Sequence, residues 1–169
     1  HDRYRRQRQM CIRDSHKVLF GDTAMATCVV NIGGISNISP LNERGGGFDT
    51  GPGNCLLDSW FCQHHPNHSE SYDASGAWAA SGRVHNGLLR RMLEDAYFLK
   101  RPPKSTGREY FNMAWIESHL QALPDTPPAA DVQATLSQLT ATPLQQRSST
   151  RCLMYETCRF AVAAEGTIT

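Results

Sequence analysis

The sequence predicts a fold of the α/β or α+β class, because short strand-like runs come first and mostly helical patterns follow. The runs at 18–20 and 27–32 are apolar and rich in valine and isoleucine, which is typical of buried strands. From about residue 54 onward, apolar residues recur at helical spacing. With 169 residues, the chain is long enough for a sizeable core, since folded chains of this length bury roughly 70% of their unfolded surface.

Composition excludes several classes of protein. The 17 Lys and Arg residues nearly balance the 16 Asp and Glu residues, which argues against a nucleic-acid binder driven by bulk charge. Hydrophobic residues make up 40% of the chain, too many for wholesale disorder, and no apolar run reaches the ~20 residues that span a bilayer. The six cysteines contain no CxxC pair and we find no secretory signal, so we expect reduced thiols and a cytoplasmic protein.

The first two strands are expected to form a β-hairpin. The strand over 27–32 ends at Gly33-Gly34, and Ile35, Ile38 and Leu41 predict a second strand after a tight turn. The glycine-rich stretch 42–47 then predicts a loop, with Asp49 at its far edge.

Helices are expected from there on. The first predicted helix runs from about Asn54 to Gln63, and the second runs from an Asp73 N-cap through Trp78 to about Gly82. The third is marked by apolar residues over Leu88–Leu93 and is expected to be stopped by Pro102-Pro103. Two more are predicted over Tyr110–Leu120 and from Ala129 to Leu139. No repeat of fixed period is visible in the sequence.

The first of three glycine-rich turns reads NIGGISN over residues 31–37. A glycine pair between two strands lets the backbone approach an anion closely and turn its N–H groups towards it. The alternative is an ordinary hairpin turn, which is the favoured interpretation of a Gly-Gly pair taken by itself. The sequence therefore leaves a phosphate-facing turn and a purely structural turn open.

The second turn reads FDTGPGN over residues 48–54, just before a predicted helix. A helix start offers free N–H groups and a partial positive charge, which suit phosphate or sugar oxygens. Asp49 would place a carboxylate in the same space, ready to accept a proton from water or a hydroxyl group. The alternative is that Asp49 or Thr50 merely caps the helix.

The third turn reads PPKSTGREYFN over residues 102–112. Two cations, Lys104 and Arg108, flank a glycine, and we expect Ser105 or Thr106 to cap the helix that follows. The GxxxxGK[ST] order is missing, so a P-loop is not supported. A solvated helix start is the alternative interpretation of this turn.

Two further segments complete a recognisable series. They are Tyr72-Asp73 with Gly76, Trp78, Ala79 and Gly82, and Asp131–Leu136 with Leu139-Thr140-Ala141. In this order and spacing, the five motifs resemble the anhydro-N-acetylmuramic acid kinase family over roughly 29–142. The resemblance implies an ATP- and Mg²⁺-dependent sugar kinase with the actin/hexokinase/Hsp70-type (ribonuclease H-like) fold, here incomplete at both ends.

The resemblance also implies a reaction and a substrate. The family opens the 1,6-anhydro ring of anhydro-N-acetylmuramic acid with water and phosphorylates the freed 6-hydroxyl group, in the recycling of bacterial cell-wall sugars. The expected partner is this small-molecule amino sugar, with no nucleic acid and no membrane. Whether the full-length parent forms a homodimer is left open by the sequence.

The resemblance assigns roles to residues of the first two turns. Asp49 matches the catalytic aspartate, thought to activate the attacking water, and Gly33 and Gly34 match a phosphate-facing hairpin that binds the nucleotide. The residues assigned to substrate binding are Thr50, Gly51, Gly53 and Asn54. No residue of this chain is assigned to a metal.

The chain is expected to divide into three segments. Residues 1–15 contain five arginines and no apolar period, and 10–15 resemble a translated transposon adaptor, so we interpret them as an adaptor or assembly artefact. Residues 16–142 are the kinase fragment, spanning the lobe junction. Residues 143–169 are interpreted as a frameshifted tail, because another reading of the bases behind 159–168 can spell a glycine-rich motif close to one of the family's.

Several family motifs have no counterpart in this sequence. They are the opening phosphate hairpin, a His-Gly-Gln turn that binds sugar, and the glycine-rich adenosine motif. Because phosphoryl transfer depends on positioning and charge stabilisation, we expect this part alone to be inactive. The alternative function is a non-catalytic sugar- or protein-binding domain derived from the same fold.

Sequencing the coding DNA tests the frameshift hypothesis. A single-base change near the codons of Thr142 and Pro143 is expected to restore the glycine-rich motif in frame. The hypothesis is wrong if no such change restores it.

Overall fold

The computed structural model describes residues 27–40, 47–147 and 151–155. Its strands are β1 Thr27–Ile32, β2 Ile35–Pro40, β3 Phe48–Pro52 and β4 Arg151–Tyr155. Its helices are α1 Cys55–His64, α2 Ala77–Ser81 (after a 3₁₀ turn, Ala74–Gly76), α3 Asn86–Leu93, α4 Ala96–Leu99, α5 Met113–Gln121 and α6 Ala129–Arg147. The predicted mixed α/β class is confirmed.

The strands form one mixed sheet in the order β3-β2-β1-β4. The predicted hairpin is confirmed, since β1 and β2 pair antiparallel on either side of Gly33-Gly34. Strand β3 pairs antiparallel with β2, and β4 lies parallel to β1. The expectation that Asp49 lies at the edge of a loop is wrong, because it lies within β3. Glycine and proline are depleted in strands, so the sequence FDTGP gave no strand signal.

Strand β3 contains an irregularity beside Asp49. Asn37 of β2 faces Asp49, whereas the preceding Ser36 faces Gly51, so Thr50 is one extra residue on β3. A β-bulge of this kind bends the strand and re-aims its side chains. Thr50 is buried, and its Oγ1 lies 2.7 Å from Oγ of Ser36.

The main core lies among the helices. Its buried members are Cys55, Leu56, Leu57, Trp60, Leu88, Met92, Tyr97, Phe111, Trp115, Ile116, Val132, Leu136 and Leu139. Helix α6 packs on α1, α2, α3 and β3. The hydrogen bonds that fasten it include those from Trp60 Nε1 to the Ala129 carbonyl (2.9 Å) and from Thr140 Oγ1 to the Gly53 carbonyl (3.0 Å). Helix α6 therefore supports the turn that carries Gly53.

The short helix predicted after Asp73 is confirmed, but it begins at Ala77 and its N-cap residue is Gly76. The carboxylate of Asp73 accepts hydrogen bonds from the backbone N–H groups of Trp78 and Ala79, both at 2.9 Å. Helix α2 then ends at Ser81, next to Gly82. Side-chain capping is a local effect, which is why the sequence pattern was sufficient.

The helix with Leu88 ends at Leu93, so the prediction that Pro102-Pro103 stops it is wrong. Asp95 caps a separate short helix, α4, by accepting a hydrogen bond from Tyr97 N at 2.7 Å. The same carboxylate accepts hydrogen bonds from the Tyr110 hydroxyl group and from Trp115 Nε1. It thereby joins α4 to the segment around the start of α5.

Helices α5 and α6 also differ from prediction at one end each. Helix α5 begins after Asn112, whose side chain accepts a hydrogen bond from Trp115 N, so neither Ser105 nor Thr106 caps it. Helix α6 continues past Leu139 to Arg147. The added residues include Leu144 and Gln145, which are good helix formers, although Pro143 also lies inside the helix.

Several predictions lie outside the described residues. They are the strand at 18–20, the artefact at 1–15, Leu41 of the second strand, and the bases behind 159–168 on which the frameshift rests. These stay predictions. In the described part of the chain, no helix is both long and apolar enough to cross a membrane.

Candidate active site

The carboxylate of Asp49 is held by a loop that is distant in sequence. Its Oδ2 accepts hydrogen bonds from Ser105 Oγ at 3.0 Å and from the backbone N–H of Thr106 at 2.9 Å. The backbone N–H of Asp49 donates to the carbonyl of Lys104 at 3.0 Å. We call residues 104–106 the carboxylate loop. It covers Asp49, which is buried, with 8% of the residue exposed.

Tyr97 supports the same strand from the interior. It is buried, and its hydroxyl group donates to the Asp49 carbonyl at 2.8 Å. Burial raises the pKa of Tyr97, and the negative charge of Asp49 raises it further, so the hydroxyl group stays protonated at neutral pH. The Lys104 ammonium group donates to the Tyr97 carbonyl at 3.1 Å and lies 4.5 Å from the centre of the Tyr97 ring.

The turn between β3 and α1 is joined directly to the Gly33-Gly34 hairpin. The N–H groups of Gly53 and Cys55 donate to the Gly34 carbonyl at 3.0 and 3.2 Å, and that of Asn54 donates to the Gly33 carbonyl at 2.9 Å. The expectation that these N–H groups are free for a ligand is therefore wrong. They bind the hairpin instead, because the hairpin carbonyls are already in place at the helix start.

Gly53 permits this close approach. A Cβ atom on Gly53 would overlap the Gly33 carbonyl oxygen and would lie 3.3 Å from the Ser36 nitrogen. Gly51 has a φ of +152°, which favours glycine, and a Cβ there would lie 2.8 Å from the Phe98 ring. Both glycines are buried. Asn54 is half-buried, and its Oδ1 has no hydrogen-bond partner.

The two hairpin glycines have different surroundings. Among the described residues that are not its chain neighbours, the Ile35 carbonyl oxygen, at 3.8 Å, is the one atom within 4 Å of a Cβ built on Gly33, so this part of the chain leaves space beside Gly33. A Cβ on Gly34 would lie 2.8 Å from both Nε and Nη2 of Arg108. The exposed Arg108 side chain therefore lies against Gly34 and places a positive charge at the hairpin.

The charge of Arg108 also acts on the first turn of α1. Burial raises the pKa of Asp58 to about 6 and that of Cys55 to about 11, while Arg108 opposes both shifts. The Cys55 thiol is therefore protonated at neutral pH. The Asp58 carboxyl group is ionised at neutral pH, at a cost in stability, because the folded state favours its neutral form.

We expect Asp58→Asn to stabilise this chain at pH 7.5 and to lose that advantage at pH 4. Because the folded-state pKa of Asp58 is about 6, the free energy of unfolding falls as the pH rises from about 4 to about 6. The gain at pH 7.5 is about 1 kcal/mol, allowing for solvent screening of a half-buried group. Thermal unfolding at both pH values measures it, and an equal effect at the two would contradict the assignment.

A family model for anhydro-N-acetylmuramic acid kinase matches residues 10–166 of this chain. The chain belongs to the anhydro-N-acetylmuramic acid kinase family. The recognition made from the five motifs is thereby confirmed.

Proteins named anhydro-N-acetylmuramic acid kinase are among the relatives. Those of Pseudomonas syringae pv. tomato and Cupriavidus pinatubonensis are 52% and 54% identical over 129 and 131 residues, which is 75% of this chain and 34% of each relative. That of Colwellia psychrerythraea is 46% identical over 140 residues, 75% of this chain and 35% of the relative. The chain therefore spans about a third of the length of the curated relatives that it matches.

The structure brings the family's candidate residues together in part. Asp49, Thr50 and Gly51 lie on the bulged strand, and Gly53 and Asn54 join it to the hairpin of Gly33 and Gly34. Their roles in binding or catalysis stay predictions.

Sequence reasoning missed the carboxylate loop, Tyr97 and the contact of Arg108 with Gly34. The PPKSTGR motif singled out the loop but gave no sign that it packs on Asp49. Nothing in the sequence around Tyr97 distinguishes it from other core aromatic residues.

Proposed function

We propose that this chain carries the general base and a phosphate-facing hairpin of an anhydro-N-acetylmuramic acid kinase. Family membership supports the proposal. The observation that carries it is that the Asp49 carboxylate is fixed by two donors on a bulged strand that is joined through Gly53 to the Gly33-Gly34 hairpin. Coupled hydrolysis and phosphoryl transfer require a positioned base and a positioned phosphate site in one framework.

Asp49 would act on the water that opens the sugar ring. It takes one proton from the water molecule as the water oxygen bonds to the anomeric carbon, and the bond from that carbon to the ring-bridging oxygen breaks. The freed 6-oxygen then bonds to the terminal phosphorus of ATP. The bond from that phosphorus to the bridging oxygen breaks, and ADP is the leaving group. The proton on Asp49 then passes to solvent. Thr50, Gly51, Gly53 and Asn54 are proposed to border the sugar.

The open space beside Gly33 supports a nucleotide-binding role for the hairpin. Within the described ranges, no side-chain atom beyond the neighbouring residues lies within 4 Å of a Cβ position on Gly33, and the Arg108 charge lies against the adjacent Gly34. Among the described residues, no three His, Cys, Asp or Glu side chains converge as a metal site. Because Mg²⁺ in a kinase binds mainly to nucleotide phosphates and water, with one or two carboxylates from the protein, no residue of this chain is proposed to hold it.

For the whole protein we also propose a fold, a substrate, a location and an oligomeric state. The mixed sheet followed by packed helices supports an actin/hexokinase/Hsp70-type fold, with this chain forming part of it. The proposed substrate is a small amino sugar, and the proposed location is the cytoplasm. The proposed oligomeric state of the whole protein is a homodimer.

A chimeric enzyme tests the proposal. In what we call the chimeric kinase, residues 29–142 of this chain replace the matching segment of the Pseudomonas syringae relative. We expect it to release ADP only when the anhydrosugar and ATP are both present, whereas the 169-residue chain alone releases none. A chimeric kinase that folds and binds ATP but releases no ADP would contradict the proposal.

A further inference from the structure

We propose that Ser105 and Thr106 are positioning residues for Asp49. They act on its carboxylate and not on the substrate. This inference rests on the proposed function, since it matters for catalysis only if Asp49 is the base. The contact is formed by two side-by-side donors on one carboxylate oxygen, at 3.0 and 2.9 Å.

Two residues of the carboxylate loop, Ser105 and Thr106, serve neither the hydrophobic core nor a helix cap. Ser105 is exposed and Thr106 is half-buried, so neither belongs to the hydrophobic core. Neither caps a helix, because Asn112 caps α5. Their polar groups instead converge on Asp49, 56 and 57 residues away in sequence.

The backbone of Asp49 is fixed independently of Ser105. Its N–H donates to the Lys104 carbonyl, the Lys104 ammonium group donates to the Tyr97 carbonyl, and the Tyr97 hydroxyl group donates to the Asp49 carbonyl. These three hydrogen bonds form a closed ring. Removing the Ser105 hydroxyl group therefore leaves the strand and loop in place and changes only what holds the carboxylate.

The rotation of an aspartate carboxylate needs such support. The terminal torsion of aspartate has broad energy wells, so packing of the backbone does not orient the oxygens. Two donors on Oδ2 fix that rotation. A general base must lie within hydrogen-bond reach of the proton it takes, and a displacement of about 1 Å can cost 10²-fold in rate.

Substitution of Ser105 in the chimeric kinase tests the inference. We expect Ser105→Ala to lower kcat by about ten- to a hundred-fold, as for a lost hydrogen bond to a charged group. The KM for ATP is expected to stay unchanged. Ser105→Thr keeps the hydroxyl group and should restore kcat to within about threefold of the parent. The matched control is Ser118→Ala, which removes a serine hydroxyl group that donates to a backbone carbonyl of α5 at 2.8 Å and should leave kcat unchanged.

The other outcomes of these substitutions distinguish failure of the positioning role from failure of the proposed function. An unchanged kcat in Ser105→Ala overturns the positioning role, and the proposed function survives if Asp49→Asn is inactive. A fall in kcat that Ser105→Thr does not restore, together with a lower unfolding temperature, also overturns it in favour of a purely structural role. If Asp49→Asn keeps its turnover, the proposed function itself fails.

Discussion

Asp49→Asn in the chimeric kinase is expected to reduce turnover by about a hundred- to ten-thousandfold, the usual contribution of a general base. An amide oxygen cannot take a proton from water as a carboxylate does. It can still accept the hydrogen bonds of Ser105 and Thr106. We therefore expect the unfolding temperature and the affinity for ATP to stay nearly unchanged. Steady-state ADP release, thermal unfolding and nucleotide titration measure the three quantities.

The control is the same substitution at a carboxylate with a similar structural contact. Asp131 Oδ1 accepts a hydrogen bond from the Arg83 backbone N–H at 2.9 Å, and Asp131→Asn can keep that bond. We expect parental turnover from this variant. A loss of activity in Asp49→Asn that is matched by unfolding would mean that Asp49 only holds the carboxylate loop.

Gly53→Ala is expected to have the largest effect on stability. The new Cβ would overlap the Gly33 carbonyl oxygen and would lie 3.1 Å from the Gly33 carbonyl carbon. These are backbone atoms of a hairpin that is hydrogen-bonded to the same turn, so they cannot move aside as a flexible side chain can. We expect a loss of about 3 kcal/mol or more, measured by thermal unfolding of this chain.

Gly33→Ala is the matched control for this prediction. In the part of the chain that the structure describes, its Cβ would lie 3.8 Å from the nearest atom outside the neighbouring residues, so the free energy of unfolding should change by no more than about 0.5 kcal/mol. In the chimeric kinase, the same methyl group should weaken ATP binding if the phosphates lie beside Gly33. Equal destabilisation by the two alanines would contradict the packing described for Gly53.

The features that the sequence predicted correctly are local ones. The β1-β2 hairpin follows from two apolar runs around Gly33-Gly34, and α2 follows from the Asp73 cap. Helix α1 is shifted by one residue from its predicted bounds. In each case, the residues that determine the structure are close together in the chain.

The features that could not be predicted from the sequence depend on contacts between segments that are distant in the chain. Strand β3 forms because β2 supplies a pairing edge, although FDTGP has little strand propensity. Ser105 contacts Asp49 across 56 residues, and no periodicity encodes such a distance. The helix-start N–H groups looked free because the sequence could not show that the hairpin carbonyls occupy them.

A single-turnover experiment with Asp49→Asn tests the identity of the base most directly. The chimeric kinase is saturated with ATP and mixed with anhydrosugar at a concentration below that of the enzyme. The amount of phosphosugar formed is then measured as a function of time. Our account predicts that the variant binds ATP normally yet forms phosphosugar at least about a hundredfold more slowly than its parent. Formation at the parental rate would show that another group activates the water.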